Sequence, residues 1–111
     1  MTGEEFVKLC YTEKATLLSE YFNIESNTFT SEIIRRLKAD GTDNETLKQL
    51  VDSVMTDVFY TMLLGLDGAA SLGCKQISYK LYDEDNNLLN KCGELEENAY
   101  NYFIDKEEEK C

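Results

Sequence analysis

QISYKLYDEDNNLLN, residues 76–90, decides between an all-helical chain and one that mixes helix with sheet. Its period is two: Ile77, Tyr79 and Leu81 alternate with Ser78, Lys80 and Tyr82, as in a half-buried strand. DEDNN has turn chemistry, and LLN is long enough for a short return strand, so the segment predicts a β-hairpin. A lone hairpin cannot bury its own face and must lie on helices. The expected fold class is therefore α+β and mainly helical, with three N-terminal helices, a long central third helix, the hairpin and a C-terminal helix.

Outward from this segment the apolar period is helical. GEEFVKLCYTEKATLLSEYF, residues 3–22, sets Phe6, Leu9, Cys10, Leu17 and Tyr21 along one side, and SEIIRRLKADG, residues 31–41, does the same with Ile33, Ile34 and Leu37 before an Asp40-Gly41 stop. Thr42 and Glu45 have the T-x-x-E spacing of a capping box. From Leu47 the pattern continues through Leu50, Val51, Val54, Met55, Val58, Phe59, Met62 and Leu63 to Leu66, which predicts a helix of about six turns. Asp52, Ser53 and Thr56 make its opposite face polar, whereas beyond Asp57 the added Tyr60, Leu64 and Gly65 predict burial on several sides. Asp67-Gly68 ends it, and AASLG is a connector of small residues. After the hairpin, GELEENAYNYFIDKEEEK, residues 93–110, places Leu95, Ala99, Tyr102 and Phe103 on one side of a fourth helix. A chain of 111 residues without internal repeat or linker is read as a single domain, 1–111.

Composition narrows the function classes. There is no His, the usual general base and metal ligand near neutral pH. Twenty-two acidic residues against eleven basic ones give a formal charge of −11, which disfavours direct nucleic-acid binding and anionic membrane surfaces and suits a basic protein partner. Asp83 to Cys111 hold ten of the acidic residues against three lysines, a net of −7 that leaves −4 for residues 1–82. Asp57 and Asp67 bracket only nine apolar residues, too few for the roughly 18 to 20 of a membrane span. MTGEEFVKLC lacks the basic and apolar regions of an export signal, so a cytoplasmic location is expected. Cys10, Cys74, Cys92 and Cys111 fit no CxxC pattern and are expected as free thiols, Cys10 and Cys74 in the core. Neither a cofactor nor catalysis is expected.

Three sets of residues come forward as candidate sites. In DEDNNLLNKCGE, residues 83–94, Asp83, Asp85, Asn87 and Glu94 take positions 1, 3, 5 and 12 of a calcium loop. Leu88 stands where that loop needs Gly and Asn90 where it is apolar, so a polar turn leading into a helix accounts for the same letters. Asp57 and Asp67 lie about 15 Å apart along one helix, too far for an acid–base pair, and are expected to be partly buried with structural partners. The strongest set is an acidic face with aromatic anchors: Tyr82, Asp83, Glu84 and Asp85 at the hairpin, with Glu96, Glu97, Tyr100 and Asn101 on the outer side of the last helix. Tyrosine supplies stiff contact area, and carboxylates steer a basic partner.

TDVFYTMLLGLDGAASLG leading into ISYKLYDEDNNLL and a terminal ELEENAYNYF helix, in a short acidic chain, resembles the bacterial immunity proteins of polymorphic and contact-dependent toxin systems. The resemblance runs from Thr56 to Phe103. It implies a non-catalytic inhibitor in a stoichiometric complex with a basic toxin domain, such as a nuclease. Two alternatives stand beside it: an inhibitor from a phage or mobile element that imitates nucleic acid and blocks a host defence protein, and a small-ligand module or enzyme subunit using a pocket between hairpin and helix.

Overall fold

The computed structural model describes residues 1–105 and contains four α-helices: α1 Gly3–Tyr21, α2 Phe29–Ala39, α3 Asn44–Leu66 and α4 Glu94–Ala99. A 3-10 turn over Lys91–Gly93 leads into α4, and a π-helical turn over Tyr100–Ile104 continues it. No helix among the described residues is long and apolar enough to cross a membrane.

The helix starts follow from their capping side chains. Thr2 Oγ1 accepts the Glu5 amide at 3.1 Å while Glu5 Oε1 accepts the Thr2 amide at 3.2 Å, a reciprocal capping box for α1. Thr28 caps α2 through the Ser31 amide. At α3 the expected Thr42–Glu45 box gives way to a cap one residue later, where Asp43 Oδ2 accepts the Thr46 amide at 3.0 Å. A carboxylate there also meets the positive end of the helix dipole.

α1, α3 and α4 pack against one another, and α2 leans on α1. Val7, Leu63, Leu95, Ala99 and Phe103 form the centre, none more than 2% exposed. Phe103 sits between two rings, with Phe59 stacked on it at 5.8 Å and Tyr11 meeting it edge-on at 5.5 Å. Burying these groups orders the last helix, whose apolar side is the one its spacing predicts.

The hairpin does not form, and the α+β class is corrected to a helical fold with an irregular segment between α3 and α4. Among the described residues there is no strand; the pairing is limited to isolated bridges, Leu72 with Lys75 and Tyr82 with Leu88. The alternation is present, but the return arm is too short to support a ladder. Leu89 donates its amide to Leu81 O at 2.8 Å, and the next partner is a side chain: Asn90 Oδ1 accepts the Leu81 amide at 3.0 Å. Asn90 Nδ2 lies 2.7 Å from Tyr79 O and 3.1 Å from Leu66 O. One amide side chain thus satisfies backbone groups that a return strand would have paired and ties the segment to the end of α3.

α3 is also oriented differently from its apolar pattern. Leu47 and Leu63 are buried as expected, yet Leu50, Val54, Val58 and Met62 are 59, 52, 55 and 48% exposed. Its supposedly outer residues Asp52 and Thr56 face α1 instead, where Lys14 is buried. Lys14 Nζ pairs with Asp52 Oδ1 at 2.9 Å and donates to Thr56 Oγ1 at 3.1 Å. The ammonium also lies 5.3 Å from the Tyr11 ring centre and 5.8 Å from that of Phe103. A buried ammonium requires such partners, so this contact draws the polar side of α3 inward and leaves the apolar ridge outside.

The small residues after α3 are structural. A Cβ at Gly65 would collide with the Leu72 side chain, and Gly68 ends the helix region with a left-handed φ of 74°. Asp57 is exposed rather than partly buried, and Cys74 is exposed rather than core. Cys10 is half-buried, its thiol pushed above the usual cysteine value by desolvation, and Cys10, Cys74 and Cys92 are free. Cys111 and the acidic tail from 106 lie outside the described residues.

Candidate acidic interface

The eight residues of the expected face fall into two groups. Tyr82, Asp83, Glu84 and Asp85 lie in the irregular segment and the tight turn it makes. Glu96, Glu97, Tyr100 and Asn101 occupy the side of α4 and its π-helical continuation opposite the buried Leu95, Ala99 and Phe103. Tyr82 is 52% and Tyr100 49% exposed, and Glu84, Asp85, Glu96, Glu97 and Asn101 are exposed.

Asp83 differs from its neighbours. Its Oδ1 accepts the amides of Asp85 at 3.0 Å and Asn87 at 2.9 Å, while Oδ2 accepts Asn87 Nδ2 at 2.9 Å and the Met1 ammonium at 3.0 Å. The side chain is only 13% exposed. Asn87, through its side chain and then its amide, holds the carboxyl well below the usual carboxylate range, with the Met1 ammonium and the Asp85 amide acting in the same direction. Asn86 takes the left-handed φ of 65° that the turn needs. Asp83 therefore organises the turn, and Glu84 and Asp85 are the carboxylates it presents to solvent.

The two groups are connected through the start of α1. Met1 reaches Asp83, and the Gly3 amide donates to Glu94 Oε1 at 3.1 Å. A Cβ at Gly3 would strike Leu89 O and the Glu94 side chain, which makes this close approach a glycine position. An open depression of about 490 Å³, lined by Met1, Thr2, Asn86, Asn87, Leu88, Lys91 and Glu94, lies at the junction. Among the described residues no hydrogen bond or ion pair joins the two groups directly.

Asp67 anchors the α4 side. Its Oδ2 accepts the Glu96 amide at 2.8 Å, which fixes the start of α4 against the end of α3, while its Oδ1 is buried without a hydrogen-bond partner. Sequence reasoning missed Met1, Asn87 and Asn90 as organisers. The Asp-x-x-Asn-Asn order was the available signal, since Asp and Asn side chains bond their own backbone in turns.

The calcium-loop positions do not converge. Asp83 is engaged by turn amides and Glu94 by Gly3, and among the described residues no group of three or more Cys, Asp or Glu side chains is arranged to hold a metal ion. The place for a ligand between the irregular segment and the helices is a depression of about 530 Å³, open to solvent, with Asp67, Lys80 and Lys91 among its lining residues. No protein-family model, curated protein or solved structure matches the chain.

Proposed function

We propose that the chain is a non-catalytic acidic binding protein that neutralises a basic protein partner, in the manner of an immunity protein inhibiting a bacterial toxin. The observation that carries this reading is the pairing of half-exposed Tyr82 and Tyr100 with exposed carboxylates on two tethered supports. Asp83 and Asp67 hold the backbone of the two supports, which lowers the ordering cost of binding. A formal charge of −11 adds long-range attraction for a basic surface.

The test is capture from a bacterial lysate on the immobilised chain, against a variant carrying Glu84→Gln, Asp85→Asn, Glu96→Gln and Glu97→Gln. Asp83 is left intact because its carboxylate maintains the turn. Retention of a basic protein by the original chain and its loss by the variant is the expected result. Equal retention by both would remove this face from the function.

A further inference from the structure

Four apolar side chains stand bare on the back of α3. Leu50, Val54, Val58 and Met62 follow one another at steps of four, which places them on a single slanting ridge of the helix. The opposite side of α3, with Thr56, Phe59 and Leu63, is the one that meets α1 and the Phe103 region. The ridge is thus formed by the sequence and left uncovered by the fold.

We propose that a second copy of this chain covers it, the two α3 helices crossing about a two-fold axis that passes between Val54 and Val58. Charge favours this occupant. Among the exposed residues of 49–62 Asp57 carries the only charge, in a chain whose formal charge is −11. Two like-charged copies meet with least repulsion where charge is scarce, whereas a basic partner finds a single carboxylate there to pair with.

Geometry and area agree. A ridge of i±4 residues packs beside the same ridge of a copy at a crossing angle of about −50°, and a two-fold contact needs one self-complementary surface. Half-exposed side chains of this size leave on the order of 300 Å² of apolar surface bare per copy, comparable with the largest apolar patch of a typical monomer, which is often functional. Two such patches supply the apolar share of an interface of roughly 1,200 Å², the lower end of the stable range. The dimer is accordingly modest in affinity, and because screening reduces repulsion between the two acidic chains, it tightens as salt is added.

Sedimentation equilibrium on the purified chain, from about 1 to 300 μM in low salt and in about 0.5 M salt, tests this by mass action. The mass should rise from 12.7 kDa toward twice that value, more readily in high salt. Val54→Glu, at an exposed position, should keep the helical circular dichroism and raise the dissociation constant about tenfold or more. Val58→Lys, of opposite charge, should do the same if Val54→Glu disturbs the fold. A single 12.7 kDa species under all conditions would overturn the proposal. So would dimers undiminished in both variants. The experiment uses the chain alone, so its failure is distinct from a failure of the acidic face to bind a basic protein.

Discussion

Asn90 does with one side chain what a return strand would have done with several backbone groups. It serves the Leu81 amide and the carbonyls of Tyr79 and Leu66, so residues with the alternation of a strand settle without a sheet. Asn90→Ala should destabilise the fold by about 1–3 kcal/mol, the scale for leaving partly buried backbone groups unpaired. Denaturant unfolding measures the loss, and amide exchange should show the Leu81 N–H losing protection. Asp83 has a parallel role in the turn, with a pH dependence of determined sign. Its carboxyl is depressed when folded, so its stabilisation is present above the ordinary carboxylate value of about 3.9 and is lost as pH falls through the lower folded value. In a carbon-13 titration of the carboxyl groups, Asp83 should remain ionised at about pH 3, where exposed carboxylates are mostly protonated. An Asp83 that titrates in the ordinary carboxylate range would contradict the assigned turn.

At the scale of elements, legibility divides by what the sequence pattern can express. In α4 Leu95, Ala99 and Phe103 are buried as spaced, whereas the α1 and α2 stripes agree only in part: Ile34 is buried, but Leu9 and Leu37 are 54 and 39% exposed and the central residue of α1 is Val7. α3 was legible as a helix but not in its orientation. Its inward side is chosen by Lys14, a residue that spacing assigns to solvent and that the fold buries against Asp52, Thr56 and two aromatic rings. Hydrophobic periodicity carries no information about such a polar contact between distant residues. For the candidate interface, its exposed tyrosines and acids could be named from the sequence. The engagement of Asp83 was legible only in part: its bonds to Asp85 and Asn87 are local turn chemistry, whereas the Met1 ammonium arrives from the other end of the chain. The orientation of α3 has a direct test. At concentrations where the chain is monomeric, Leu63→Ala should lower stability by about 2–5 kcal/mol, as for buried leucines, and Val58→Ala by less than about 0.5 kcal/mol. Comparable losses at both sites in thermal or denaturant unfolding would mean that the ridge is core.

At the scale of the whole molecule, two surfaces differ in character: exposed Glu84, Asp85, Glu96 and Glu97 stand with Tyr82 and Tyr100 on the turn and on α4, while the back of α3 is apolar and carries almost no charge. The two surfaces respond oppositely to ionic strength, since screening weakens attraction to a basic partner and relieves repulsion between acidic copies. The most direct measurement of the central claim, that the acidic face binds a basic protein, is therefore the lysate capture carried out at about 0.05 and 0.5 M salt with the original chain and the four-amide variant. A basic protein should be held by the original chain in low salt, released in high salt and not taken up by the variant. Capture that survives both high salt and neutralisation of Glu84, Asp85, Glu96 and Glu97, or no capture in low salt, would contradict it.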